Sequence, residues 1–416
     1  MKEESLAMQG DSAEIDAATP DKMLPEQQRT WPYMWSAFGL FFLLAFAFAS
    51  WLPRLPELKS KFNLSDGDVG LVLVALPVGL LTIIPVVGYA STRLSLRSLN
   101  LICMTWMYIS IPLVGIATGP LGLAAVICAI GMGAGAMGVA VNAAGFAAET
   151  KIGRPILSRC HAMYSVGLAA GGLIAGWIAA QGITIFTHLA ATNLVLFILL
   201  LIVLRNVADD TNKSDAEAEP KLALPRGKLF VPGLIAMGCL MAEGVTVDWS
   251  SIFLADVLNA PAIYIGAGVA AFSAAMATMR FAGDALVSRI SEHVIIGLGA
   301  LISAIGFVTA SIAPNLNIAL IAFVIIGLGL APIVPIAFRI AGKLSPNAPG
   351  VGVAAVSTLG YAGFLIGPAL VGLIAEVTSL RASFATIAGL MVCVAVLSRR
   401  LKQINATSEP PTNQDL

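Results

Sequence analysis

Long apolar runs recur along the chain and constrain its fold more than any other feature. Twelve of them, numbered here as spans one to twelve, lie at approximately 33–53, 68–90, 98–118, 121–147, 160–180, 187–205, 229–254, 262–283, 293–313, 317–341, 351–375 and 382–399. A helix of about 20 residues crosses the ~30 Å hydrocarbon layer of a bilayer. Because only helices and closed barrels satisfy backbone polar groups in lipid, the runs predict an all-α membrane protein with twelve transmembrane helices.

The composition agrees with a membrane protein and excludes several other classes. Of 416 residues, 58% are hydrophobic and only 12% are charged, whereas a soluble protein has about 25% charged residues. A formal net charge of zero provides no basic surface for nucleic acid. The five cysteines are scattered and no P-loop is present, so we expect no disulfide framework, no metal site, no cofactor and no ATP site.

Polar segments divide the chain into two halves of six spans. Residues 1–30 are polar and acidic and lack the pattern of a signal peptide, so they are predicted as a disordered cytoplasmic tail. The prediction continues with a six-helix bundle at 31–205, a cytoplasmic linker at 206–228, a second six-helix bundle at 229–402 and a cytoplasmic tail at 403–416.

The positions of lysine and arginine predict the orientation. If both termini are cytoplasmic, 20 of the 24 basic residues fall on the cytoplasmic side and only Arg54, Lys59, Lys61 and Arg381 fall outside. This asymmetry satisfies the positive-inside rule. We therefore predict a multi-pass protein with both termini in the cytoplasm.

The two halves repeat each other in sequence. A constant offset of 196 residues maps Arg93 onto Arg289, Gly131 onto Gly327 and Gly167 onto Gly363. Such an offset predicts two six-helix bundles of the same topology with a binding cavity between them near mid-membrane.

Span seven carries two carboxylates inside an apolar run. Glu243 lies near its centre and Asp248 five residues later. An acid at mid-membrane costs roughly 2.5–3.5 kcal/mol on insertion scales, so it normally serves a function. Helical spacing places Thr246 and Ser250 on the face of Glu243, and Asp248 points elsewhere. We predict that these four residues bind substrate or protons, with Glu243 the strongest candidate and a structural hydrogen bond as its alternative. For Asp248 the alternative is a cap at the outer end of the span or a partner of a neighbouring helix.

The segment after span two reads Gly88-Tyr-Ala-Ser-Thr92-Arg93-Leu-Ser95-Leu96-Arg97. With the twelve spans and the repeat, it resembles the signature loop G-x-x-x-D-R-x-G-R-[RK] of the major facilitator superfamily. The resemblance implies a charge network at Arg93 and its repeat Arg289 that gates the transporter. The family's acid is replaced by Thr92, and Arg280 with Asp284, four residues apart, offers a substitute pair. Ordinary cytoplasmic anchoring is the alternative role of these cations.

Spans five and eleven carry small residues at every fourth position. The residues concerned are Gly167, Gly171, Gly363, Gly367 and Pro368, and they resemble the family's G-x-x-x-G-P pattern. Small residues at this spacing let helices approach closely, so helix packing is the predicted role.

A closer resemblance covers almost the whole chain. Ala49-Ser-Trp51-Leu-Pro-Arg54, Val141-Asn142-Ala-Ala-Gly145, His161-Ala-Met-Tyr164 and Glu243-Gly244-x-x-x-Asp248-Trp249 are similar to a YbjJ-type branch of bacterial inner-membrane facilitators, distantly similar to fucose–proton symporters. The resemblance implies the inner membrane and a cavity lined mainly by spans one, four, seven and ten.

Four further side chains are candidates for the site. Arg54, at the outer end of span one, is predicted to pair with Asp248 or to bind an anionic substrate group; a snorkelling cation is the alternative. Asn142 is predicted to contact substrate or to bond a neighbouring helix. His161 and Tyr164, at the inner end of span five, are predicted to take part in gating or proton traffic, with a structural role as the alternative.

These observations favour a monomeric secondary transporter, not an enzyme, that moves a small solute through the bilayer by alternating access. The preferred hypothesis is proton-coupled transport of a small polar, sugar-like solute, by symport. A proton-coupled exporter of lipophilic compounds is the alternative. A membrane enzyme would need a polar cluster at one face, and the three histidines are dispersed; a transporter-like sensor would need a larger soluble domain.

Overall fold

The computed structural model describes residues 24–208, 224–287, 290–346 and 348–406, and for 24–29, 282–287, 349 and 403–406 it describes the backbone only. No strand occurs in these ranges. Twelve helical spans within them are long and apolar enough to cross a membrane. The predicted fold class, an all-α membrane protein with twelve spans, is therefore confirmed.

Most spans consist of one continuous helix. The helices are Leu24–Ser50 and Leu55–Lys61 in span one, Asp66–Leu73 and Ala75–Ser91 in span two, Leu96–Ser110 in span three, Pro120–Ile152 in span four, Leu157–Ala180 in span five, Ile185–Val203 in span six, Phe230–Ile252 in span seven, Ala267–Val287 in span eight, Glu292–Ser311 in span nine, Leu316–Leu330 and Ile333–Leu344 in span ten, Pro349–Val377 in span eleven and Leu380–Ala406 in span twelve. Leu24, the ends of the linker and Ala406 share one side, called the tail face. The opposite side is called the far face.

Short polar residues begin several of these helices. The side chains of Ser65, Ser95, Thr184 and Asn315 each accept a hydrogen bond from the backbone N–H three residues later. Such N-caps satisfy amide groups that the helix itself leaves without a partner. The caps therefore fix where spans two, three, six and ten start.

Two breaks within predicted spans lie beside prolines, and the two terminal helices extend beyond their predicted ends. Span one breaks into a 3-10 turn at Leu52–Arg54, where Pro53 removes a backbone donor. Span ten breaks after Leu330, next to Pro332. The first helix begins at Leu24 and the last ends at Ala406, so each extends into a segment predicted as a disordered tail.

Glycines pack equivalent pairs of spans closely in the two halves. Gly171 in span five lies so close to span one that an added Cβ would be 2.5 Å from the carbonyl oxygen of Phe46. In the second half, Gly363 of span eleven lies against span seven, where an added Cβ would be 2.9 Å from Met241 N. Glycine thus permits the closest contacts between spans five and one and between spans eleven and seven.

The two halves meet tightly toward the far face. Gly70 of span two faces span eleven, and an added Cβ would lie 2.7 Å from the carbonyl oxygen of Pro368 and 2.9 Å from Gly372 Cα. Gly176 of span five faces the start of span eight, where an added Cβ would lie 3.0 Å from Gly266 N. Backbone-to-backbone packing of this kind seals the far face between the halves.

Candidate functional site

Span seven is the element that carries the candidate site. It packs against spans eight, ten, eleven and twelve, and its far end touches the first half at residues 52–61. A helix enclosed by protein on so many sides is not a lipid-facing helix. Polar groups on it are therefore directed to other spans or to the space between the halves.

Glu243 is connected to the first half through Arg280 of span eight. Arg280 Nη2 lies 4.0 Å from Glu243 Oε1, so the two groups form an ion pair at the limit of contact. Both side chains are less than one-fifth exposed. The other terminal nitrogen, Nη1, donates to Ser165 Oγ at 2.7 Å and to the carbonyl oxygen of His161 at 3.4 Å, both on span five. One guanidinium thus joins the two halves at the depth of Glu243.

Two more predicted residues lie beside this link. His161 packs edge-on against Phe41 of span one, with ring centroids 5.0 Å apart, and lies within electrostatic range of Arg280. Tyr164 lies within electrostatic range of both Glu243 and Arg280. We call His161, Tyr164, Ser165, Glu243 and Arg280 the central cluster. It unites residues predicted for binding with residues predicted for gating, and Ser165 is its one member that sequence reasoning missed.

The Glu243–Arg280 contact is loose enough to be broken. Two unit charges 4.0 Å apart attract by about 4 kcal/mol at an effective dielectric of ~20, before the cost of desolvation is subtracted. A guanidinium offers five donors, so Arg280 can keep its bonds to span five while its bond to the carboxylate is exchanged. The cluster can therefore respond to a proton on Glu243 or to a polar ligand.

Thr246 and Ser250 lie in helix packing in the described state, and their binding role stays a prediction. Both are fully buried. Thr246 Oγ1 donates to the carbonyl oxygen of Ala242 in its own helix at 2.8 Å. Ser250 packs against Gly268 of span eight. The predicted helical face exists, but it is directed to spans eight and ten because small side chains there allow close packing.

Arg54 is not the partner of Asp248, so that prediction is wrong. Its side chain is only 2% exposed and is held within the first half. It bonds Glu57 Oε2 at 2.6 Å, the carbonyl oxygen of Ile183 at 2.6 Å and His188 Nδ1 at 3.2 Å. Three partners occupy the guanidinium, so it fixes the end of span one to span six and is unavailable to bind a solute.

Asp248 is left without a partner among the described residues. It is half-buried, and no hydrogen bond or ion pair of its side chain occurs in the part of the chain that the structure describes. Span seven continues as a regular helix through this position, so the carboxylate is held at a fixed place near the far end of the span.

Asn142 bonds its own helix instead of a neighbouring one. Its side-chain amide donates to the carbonyl oxygen of Gly138 at 2.7 Å. Gly138 has open space around it, with no atom within 4 Å of an added Cβ. Asn142 is therefore placed beside an unfilled region of span four, where its remaining polar capacity is accessible.

The predicted gating loop is described only in part. Arg93 lies over the ring of Tyr89, 4.8 Å from its centroid. The side chain of Asp284 and the whole of Arg289 lie outside the described residues. Of the predicted Arg280–Asp284 pair, only Arg280 is described, and its partners are those of the central cluster.

A charged clamp at the far face was missed by sequence reasoning. Lys59 Nζ lies 2.6 Å from Asp66 Oδ1 in its own half and 2.6 Å from Asp256 Oδ2 in the other half. Glu376 Oε2 accepts a hydrogen bond from Gly67 N at 3.0 Å, which is a second connection between the halves. Charged residues are common at the ends of membrane spans, so no feature of the sequence indicated that these particular residues interact.

Twelve apolar spans in two repeated bundles, joined by charges at one face and at mid-depth, define a polytopic solute transporter. Comparison with known proteins gives the family. The model of the Major Facilitator Superfamily matches residues 37–294 and 246–415, and the chain belongs to that family. It is thus a multi-pass membrane protein that carries out secondary transport of a solute.

Known relatives agree with this assignment. An uncharacterized MFS-type transporter of Yersinia pestis is 31% identical over 362 residues, which cover 86% of this chain and 93% of that protein. An uncharacterized transporter of Sinorhizobium fredii, y4wD, is 32% identical over 366 residues, covering 87% and 96%. The solved structure of a D-xylose-proton symporter has the same fold, with a TM-score of 0.73 at 17% identity over 88% of this chain and 97% of that one.

Proposed function

We propose that the protein is a proton-coupled transporter of a small polar solute and that Glu243 is its coupling residue. The observation that carries this proposal is the Arg280 link, which binds Glu243 in one half and Ser165 in the other. A titratable carboxylate whose partner bridges the moving parts can convert a proton into a conformational bias.

Protonation acts on the two sides of the link differently. A charged Glu243 attracts Arg280 toward span seven, while the bonds of Arg280 to Ser165 Oγ and His161 O involve no titratable group. When Glu243 takes up a proton, only the first attraction is lost. Arg280 then has N–H donors without an acceptor, and a hydroxyl or carboxylate group of a solute can accept hydrogen bonds from them.

The conformation described is the one closed at the far face. Lys59–Asp256, Glu376–Gly67 and the packing of Gly70 on span eleven all hold this side shut. The distribution of lysine and arginine supports a cytoplasmic tail face in the bacterial inner membrane. With that orientation, we infer an inward state of alternating access, in which the protein meets its solute from the cytoplasm.

A thermal-shift screen of purified protein tests the proposal. Sugars and sugar acids are compared with lipophilic drugs at a mildly acidic and a mildly alkaline pH, for wild type, Glu243→Gln and Glu292→Gln. Glu292 is paired with Lys343 at the tail face and serves as the matched carboxylate control. A ligand of the native state raises the melting temperature by mass action.

We expect a polar solute to stabilise wild type and the Glu292 variant in a pH-dependent way, and the Glu243 variant without pH dependence. Stabilisation by lipophilic compounds alone would replace this proposal with the exporter alternative. Equal pH dependence in all three proteins would reduce Glu243 to a structural residue.

A further inference from the structure

Asp248 is a carboxylate in a membrane span that the transport cycle described above does not use. Among the described residues it has no ionic or hydrogen-bonding partner. Its side chain is half-buried, and four other spans pack against span seven. An uncompensated charge in such surroundings is unfavourable. The carboxyl group is therefore either protonated or balanced by a positive partner, and the described residues supply no such partner.

Three cations on segments that contact span seven are already engaged. Arg54 bonds Glu57, His188 and Ile183 in the first half, and Lys59 is shared between Asp66 and Asp256. Arg280 serves the central cluster. None of these three donates to Asp248, so the missing positive group is expected to come from a ligand.

An aromatic ring packs on the turn of span seven that precedes Asp248. Met241, Gly244 and Asp248 share one face of span seven, because they lie three and four residues apart. This face packs on span eleven, where an added Cβ at Gly244 would be 2.7 Å from Phe364 Cδ1. The Phe364 ring stacks with that of Tyr361, with centroids 6.5 Å apart and planes 24° apart.

A carboxylate whose neighbouring helical turn packs on an aromatic ring suits an organic ammonium group. Ring faces attract cations, and alkylated ammonium groups lose little hydration when they leave water. A metal ion such as Ca²⁺ needs six to eight oxygen ligands, and this face of span seven presents one carboxylate beside Met241 and Gly244. The chemistry on this face thus favours an amine over a metal ion.

We propose that Asp248 binds the positively charged amine of the transported solute, so that the substrate is a small polar compound with an ammonium group. This proposal rests on the proposed transport function and adds the substrate class. Asp248 lies five residues beyond Glu243, about 7.5 Å along the helix axis.

Matched pairs of probes test the amine directly. Choline is compared with its neutral carbon isostere 3,3-dimethylbutan-1-ol, and glucosamine with glucose, in thermal-shift titrations of the full-length protein. The variants are Asp248→Asn, Asp248→Glu and Glu243→Gln, with Glu292→Gln as control. Sodium chloride and pH are varied separately, because a bound sodium ion or proton is the competing explanation.

We expect only the charged member of at least one pair to stabilise wild type. Asp248→Asn should weaken that effect roughly ten- to hundredfold, the value of a charge-assisted hydrogen bond, while Asp248→Glu keeps part of it. Asp248→Glu retains the charge and keeps the test valid if the asparagine variant is poorly folded. Equal stabilisation by charged and neutral members, an unchanged response in Asp248→Asn, or an Asp248-dependent effect of sodium or pH alone would overturn the proposal.

The variants also separate this proposal from the coupling role of Glu243. If Asp248→Asn loses its selectivity for amines and Glu243→Gln keeps its pH dependence, the amine proposal is supported and the coupling proposal is contradicted. The reverse pattern, pH dependence lost in Glu243→Gln and no selectivity for amines, would retain coupling and remove the amine site.

Discussion

Two cations, Arg54 near the far face and Arg280 near mid-depth, have different roles at the residue scale. Arg54 is saturated with partners of its own half, whereas Arg280 connects span eight with spans five and seven. The rarity of charge in apolar runs identified both in the sequence. What sequence spacing could not give was their partners, because His188, Ile183 and Ser165 lie more than 100 residues away along the chain.

Arg280 and Glu243 are expected to be energetically coupled. Arg280→Ala leaves the Glu243 carboxylate in the interior without its cation, so this variant should be less stable than wild type. Adding Glu243→Gln removes the orphaned charge and should restore part of the loss. A double-mutant cycle in chemical or thermal unfolding should give a coupling of roughly 0.5–3 kcal/mol. Additive effects of the two substitutions would contradict the link.

Arg54 is expected to matter for stability more than for ligand binding. Arg54→Ala removes three hydrogen bonds and leaves the buried His188 without its Arg54 partner, so a loss of about 2–3 kcal/mol is expected. Arg97→Ala, at an exposed position of the tail face, is the control and should change stability by no more than ~0.5 kcal/mol. Equal losses in the two variants, measured by thermal unfolding, would show that the Arg54 bonds are not stabilising.

At the scale of the helix, hydropathy and repeat were sufficient to predict the architecture. Apolar length defines each span locally, and the 196-residue offset reports the duplication, so neither depends on tertiary contacts. The direction in which each polar face points does depend on them. Thr246 and Ser250 share a face with Glu243 as predicted, yet small neighbours such as Gly268 draw that face into helix packing.

Two helical glycines provide a matched test of this packing. Alanine favours a helix over glycine by about 1 kcal/mol, so Gly138→Ala, which meets open space, should be neutral or stabilising. Gly171→Ala should be destabilising, because its Cβ would collide with the backbone of Phe46 and force spans one and five apart. Melting temperatures of the two variants measure the difference. A stabilising Gly171→Ala would mean that the spans do not approach as closely as described.

The whole molecule is held in its present state by contacts between halves. Lys59–Asp256 and Glu376–Gly67 cross the far face, and Arg280–Ser165 crosses near mid-depth. The clamp at Lys59 was beyond sequence reasoning because the charges come from three separate span ends, and the fold alone brings them together. Four of the five residues of the central cluster were candidates from the sequence, but Ser165 was not, and the assembly of the cluster required the contact of spans five and eight.

Loosening the clamp should open the far face. Asp256→Asn removes the part of the clamp that joins the halves, whereas Asp66→Asn removes only a partner within the first half. Spin labels at Gln181 and Thr378, exposed at the far ends of spans five and eleven, report the separation of the halves in a background without the five native cysteines. We expect a population with a longer distance between the two labels to grow in Asp256→Asn, and to grow much less in Asp66→Asn. The same distances in both variants would mean that Lys59 does not hold the halves together.

The same pair of labels gives the most direct test of proton coupling, since it needs no knowledge of the solute. Distances between Gln181 and Thr378 are measured at a mildly acidic and a mildly alkaline pH, in protein with Glu243 and in Glu243→Gln. Because a proton on Glu243 releases Arg280 from span seven, we predict that pH shifts the balance of near and far distances when Glu243 is present and has no effect in Glu243→Gln. An identical pH response in the two proteins, or no response in either, would contradict the role of Glu243 as the coupling residue.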